Sequence, residues 1–88
     1  MQIRVSGVLR KYVDYHRHLT YDAPTARSAL EQLCADHPPL TTVLFESGGG
    51  ISALHRIFVD GDQLAPDALD DPLTPDATVE IVTAIAGG

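Results

Sequence analysis

Only one long stretch of this chain carries a helical period, and everything else must be arranged around it. Ala26, Ala29, Leu30, Leu33, Cys34 and His37 recur at spacings of three and four, which places them on one stripe of an amphipathic helix of about three turns. Thr25, after Pro24, is positioned as its N-cap. Pro38-Pro39 ends the pattern, because the residue before a proline is driven out of the helical region. The segments on either side read instead with period two. Gln2 to Ser6 puts Ile3 and Val5 on one face. In Tyr15 to Tyr21, Tyr15, Arg17, Leu19 and Tyr21 lie opposite His16, His18 and Thr20, and these first two strands are predicted to pair as a hairpin. After the helix, Leu40 to Phe45 offers a short helical turn and Glu46-Ser47-Gly48-Gly49-Gly50 a flexible loop. Leu54 to Val59 reads as a third strand with Ile57 and Val59 inward, turning at Asp60-Gly61-Asp62 into an edge strand near Gln63-Leu64. Asp67 to Asp76 is a loop or short helical turn anchored by Leu69 and Leu73, and Thr78 to Val82 is a last strand with Val79 and Ile81 inward.

The order β-β-α-β-β-β describes an α+β fold in which a mixed sheet packs on one main helix, the β-grasp or ubiquitin-like arrangement. The first and last strands are expected side by side and parallel at its centre, since the long connection between them satisfies the crossover that parallel pairs need. At 88 residues the chain is one domain, residues 1–88, able to bury roughly 60–68% of its unfolded surface but too small for a core plus a deep cleft. No run approaches the ~18 apolar residues of a membrane span. The opening Met1-Gln2-Ile3-Arg4-Val5 lacks a signal-peptide layout, so no membrane partner and a cytoplasmic location are expected. A single cysteine, Cys34, excludes an internal disulfide and a thiolate zinc site.

The formal net charge of −6 is unevenly spread. Arg4, Arg10, Lys11, Arg17 and Arg27 precede residue 30, whereas Asp60 to Glu80 carries seven carboxylates and no Lys or Arg. That distribution argues against nucleic-acid binding. It suits a partner with a basic surface, or simply a solvated acidic face that maintains solubility.

The chemistry is concentrated at the end. The strand from Val79 runs out through Ile85 and Ala86 to Gly87-Gly88. Two residues without Cβ make a thin arm, about residues 84–88, that is expected to be flexible and to enter a channel too narrow for a side chain. Its carboxylate, with a reference pKa of about 3.3–3.7, is ionised at neutral pH and is a poor electrophile until activated.

On Arg4-Val5-Ser6, Val8-Leu9-Arg10, Ile57-Phe58-Val59-Asp60-Gly61 and Asp71-Pro72-Leu73 through Ile85-Ala86-Gly87-Gly88, the chain resembles the MoaD/ThiS-type sulfur carriers of the ubiquitin-like superfamily. It departs from them at Thr83-Ala84, where members often carry proline, and at Pro75-Asp76-Ala77, which replaces a Gly-Asp turn. The resemblance implies that Gly88 is adenylated and converted to a thiocarboxylate, with Gly87, Ala86 and Ile85 docking the arm. The partners it implies are a ubiquitin-activating-type adenylating enzyme, which uses ATP, and a sulfur-accepting synthase or sulfurtransferase of cysteine, thiamine or specialised metabolism. The chain itself would then be a protein substrate rather than an enzyme, with no bound cofactor and no metal. The small subunit of molybdopterin synthase and a ubiquitin-like protein modifier are the alternatives that share this tail.

The remaining constellations are weaker. Cys34 falls on the apolar stripe of the helix, the usual place of a buried inert thiol. His16 and His18 share a strand face without a third metal ligand. His55-Arg56 resembles a Leu-His-Arg stretch of some carriers linked to cysteine synthesis. Gly48-Gly49-Gly50 lacks the lysine of a phosphate-binding loop, and Asp60-Gly61-Asp62 lacks the spaced oxygens of a calcium loop.

Overall fold

The computed structural model of the chain describes residues 1–83. Five strands form one mixed sheet: β1 (Gln2–Val5), β2 (His18–Thr20), β3 (His55–Val59), β4 (Asp62–Gln63) and β5 (Thr78–Thr83), in the spatial order β2-β1-β5-β3-β4. Helix α1 (Ala26–Asp36) and a single turn, α2 (Thr41–Leu44), complete the main elements. Strand β1 runs parallel to β5, from Gln2 opposite Thr78 to Val5 opposite Ile81, while β5 runs antiparallel to β3. The expected β-grasp is therefore present, with the first and last strands adjacent at its centre.

The helix forms where the apolar stripe predicts it. Thr25 Oγ1 accepts from the Ser28 backbone N–H at 3.1 Å, satisfying one of the orphan donors of the first turn. Ala26, Ala29, Leu30 and Leu33 are fully buried against Ile3, Val79 and Ile81 of the sheet in one continuous core. Each large apolar side chain so enclosed contributes about 1.5–3 kcal/mol relative to an exposed one.

The first two strands pair as the expected antiparallel hairpin, but the connection between them is itself structured. Gln2 lies opposite Thr20, and residues 7–13 between the strands form a 3₁₀ helix that drives Leu9 and Val13 into the core. Burial of those two side chains, four residues apart, outweighs the strand-like neighbours. The segment then reverses through Asp14 (φ 54°) and Tyr15 (φ 63°), both left-handed, so β2 is confined to His18–Thr20 rather than reaching from Tyr15 to Tyr21.

At the other edge the Asp60-Gly61 turn has φ of 49° and 91°, the pair of positive values that a type I′ hairpin requires and that glycine adopts without steric cost. Asp60 also fastens this hairpin to β5: its Oδ1 accepts from Thr78 N at 2.9 Å, and its own N–H donates to Thr78 O at 2.9 Å. The Glu46–Gly50 loop is tied at two points. Glu46 N–H donates to Gly50 O at 2.7 Å, and Gly49 O accepts from Arg27 Nη1 at 2.8 Å. A short 3₁₀ turn at Pro66–Ala68 leads to Leu69, which is buried as an anchor, with Leu73 packed beside it.

Candidate functional site

The residues that the sequence assigns to the arm, Ile85, Ala86, Gly87 and Gly88, lie outside the described residues. What the structure describes is the ground from which that arm starts. Strand β5 is paired along both edges, to β1 and to β3, so the chain reaching Thr83 is held by the two inner ladders of the sheet. Val79 and Ile81 on it have no exposed surface.

His55 secures the last turn of that ground. It lies directly opposite Thr83 in the β3–β5 register and is 5% exposed, the one buried polar or charged side chain among the described residues. Its Nε2 is 3.0 Å from the Val43 carbonyl and its Nδ1 is 3.1 Å from Thr83 Oγ1. A carbonyl only accepts, so in a neutral ring Nε2 carries the hydrogen and Nδ1 accepts from the threonine hydroxyl. One side chain thus ties the end of β5 to α2. Period two places His55 on the inward face with Ile57 and Val59. That pattern was the available signal for its burial, although a histidine at a strand start reads equally well as solvent-facing.

The same end of the sheet gathers exposed apolar surface. Val5 ends β1, His55 begins β3 and Thr83 ends β5, and the registers place all three at one end of the sheet. Val8, Leu54 and Val82, within three residues of those positions, are 59%, 58% and 36% exposed.

The other sequence candidates resolve differently. Cys34 is buried, and burial pushes its thiol above the usual range, against a smaller opposing hydrogen bond with Thr41 and reinforced by the Glu31 charge. His16 and His18 are both exposed, and no group of three His, Cys, Asp or Glu side chains among the described residues is placed to hold a metal ion. Asp60-Gly61-Asp62 is a hairpin turn. Part of the acidic second half serves the fold itself, since Asp70 pairs with Arg27 at 2.8 Å and Asp60 holds Thr78. Asp62, Asp67, Asp71 and Asp76 stand in solvent. No helix among the described residues is long and apolar enough to cross a membrane.

Comparison with known proteins agrees with this geometry. The sequence profile of the ThiS family matches residues 3–88. A chain in the crystal structure of the BexX/CysO complex of Amycolatopsis orientalis superposes with a TM-score of 0.87 at 15% identity, covering 99% of this chain and 98% of that one. The solution structure of small archaeal modifier protein 1 from Methanosarcina acetivorans gives 0.86 at 19% identity, over 99% and 94%. CysO of Mycobacterium tuberculosis gives 0.83 at 16%, over 96% and 98%. At such identities the likeness establishes the ubiquitin-like β-grasp fold and nothing finer. No curated protein matches the chain.

Proposed function

Since the chain belongs to the ThiS family, the MoaD/ThiS-type ubiquitin-like sulfur carriers, we propose that it is a carrier whose Gly88 carboxylate is the working group. The observation that carries this reading is the extent of the family match, which runs through Gly87-Gly88 to residue 88. In the first step a carboxylate oxygen of Gly88 attacks the α-phosphorus of ATP on an adenylating partner, and pyrophosphate leaves. In the second, sulfide adds to the acyl carbon and AMP is expelled with the bonding pair, giving a thiocarboxylate. A synthase or sulfurtransferase then draws the sulfur from it. The protein acts in this scheme as substrate and donor rather than as catalyst.

Each part of the chain has a physical role in that scheme. Gly87 and Gly88 fit a narrow channel because they carry no side chain, and Ile85 and Ala86 position the arm along the partner. Strand β5, held on both sides and pinned at Thr83 by His55, gives the arm a fixed origin. Val8, Leu54 and Val82 offer the adjoining surface that a partner covers.

The test is twofold. The intact mass of protein isolated from its native host is expected to include a species with one oxygen replaced by sulfur; an isopeptide adduct on other proteins' lysines would point to a modifier instead. Deleting Gly88, or replacing Gly87 or Gly88 with valine, is expected to abolish pyrophosphate exchange with the adenylating enzyme. The melting midpoint is expected to hold, because the core is assembled from residues 1–81. Full exchange by the Gly88 deletion would end the proposal.

A further inference from the structure

Three of the five arginines of this acidic chain converge on one small polar pocket. Arg4, Arg10 and Arg17 line a cavity of about 320 Å³ together with Ser6, His18 and Glu80. Three guanidiniums against one carboxylate leave it formally +2, on a protein whose net charge is −6. Guanidiniums gathered at one place repel one another, and an anion bound among them relieves that repulsion.

Among the described residues the charge of the pocket is not fully neutralised. Glu80 lies directly opposite Arg4 in the β1–β5 register, yet neither Arg4 nor Arg17 makes a side-chain ion pair or hydrogen bond among the described residues. Arg10 is held in place instead of being left to wave in solvent. Its Nη2 donates to the Tyr15 carbonyl at 3.0 Å, and its guanidinium stands 6.0 Å from the centroid of the Tyr15 ring. Its Nε is buried with no hydrogen-bond partner. A buried donor without an acceptor is costly, and a guanidinium fork presents its donors in a plane. The turn that delivers the Tyr15 carbonyl contains two successive non-glycine residues at positive φ, Asp14 and Tyr15. Such residues are strained and persist where the surroundings enforce them.

We propose that this pocket binds a phosphate-type oxyanion, with Arg4, Arg10 and Arg17 as its ligands. Guanidinium forks match the oxygen spacing of a phosphate and form charge-assisted hydrogen bonds to it, and the Ser6 hydroxyl adds a neutral donor. Glu80 limits affinity and rejects weakly charged ligands. A single concave site differs from the extended basic stripe that tracks a nucleic acid backbone. The pocket lies at the end of β1 that adjoins the end of β5, so the anion would bind beside the origin of the arm. The assignment stands on the described residues alone and is independent of the chemistry proposed for Gly88.

The experiment is an NMR titration of the isotope-labelled full-length chain with inorganic phosphate, and separately with AMP and with acetate, at matched ionic strength. Saturable shifts are expected at the amides of Ser6 and Gly7 and at the Arg10 guanidinium Nη–H groups with phosphate, and none that saturate with acetate. Tighter binding of AMP would identify a phosphate monoester as the ligand, and equal binding the free oxyanion; both support the site. Arg4→Gln and Arg17→Gln are each expected to weaken binding roughly tenfold, and Glu80→Gln to strengthen it. Arg4 and Arg17 are exposed, so both variants are expected to keep the wild-type melting midpoint. Shifts that rise linearly and equally with phosphate and acetate would overturn the proposal, as would undiminished binding by the Arg4→Gln, Arg17→Gln double variant.

Discussion

The His55–Thr83 contact allows a quantitative test of how the arm is rooted. His55→Ala removes a ring that is 5% exposed and leaves two acceptor or donor groups, the Val43 carbonyl and the Thr83 hydroxyl, without their partner. Each hydrogen bond contributes about 0.5–1.5 kcal/mol net, and a buried group left unpaired costs about 1–3 kcal/mol. Thr83 is half-buried at the end of a strand, so water can replace part of its loss. The expected destabilisation is about 2–4 kcal/mol. For a domain of this size that lowers the melting midpoint by roughly 10–30 °C. Thr83→Val keeps the shape and removes only the hydroxyl bond, so about 1 kcal/mol is expected. The decisive quantity is the coupling in the double-mutant cycle, measured by urea unfolding of the wild type, both single variants and the pair. If His55 and Thr83 share one hydrogen bond, the coupling energy is about 0.5–1.5 kcal/mol. Additivity within about 0.3 kcal/mol would refute the clamp.

Three further outcomes follow from the packing and the shifted groups. Ile81→Ala, at a fully buried position between Val5 and Ile57 in the registers, is expected to cost about 2–5 kcal/mol in denaturant unfolding, with the adenylation proposed for Gly88 reduced only as far as the folded fraction falls. Tyr21 has its phenol pushed up to about 12 from 10.0, by burial first and then by the Asp36 carboxylate that accepts its hydrogen at 2.8 Å. Between those values the folded state holds a proton that the unfolded state has lost, so its contribution to stability is complete below pH 10 and is lost as the pH rises toward 12; Tyr21→Phe is expected to flatten that part of the stability profile measured by unfolding across the alkaline range. Cys34, buried and with a raised thiol pKa, is expected to react with a chromogenic disulfide reagent far more slowly in the native protein than in denaturant, and equal rates would contradict its burial.

What the sequence determined by itself was whatever local periodicity and stereochemistry encode. The stripe from Ala26 to Cys34, its threonine cap and its proline stop specify α1 without reference to the rest of the molecule. The alternation of Val79 and Ile81 specifies the inward face of β5, and Asp60-Gly61 specifies the turn beside it. With these elements in order, the β-grasp and its parallel central pair follow from the connection lengths. The tertiary structure decided the rest, because it depends on groups far apart in the chain. Leu9 and Val13 wind residues 7–13 into a 3₁₀ helix only because the core beneath the sheet has room for both side chains, a fact absent from the local pattern. His55 is buried because α2 and the end of β5 present a carbonyl and a hydroxyl to its two nitrogens from 12 and 28 residues away. The arginines of the polar pocket are separated by six and seven positions along the chain and read as scattered surface charge. The β1–β2 pairing and the left-handed turn at Asp14-Tyr15 bring them together, and a one-dimensional sequence has no period that records such a meeting.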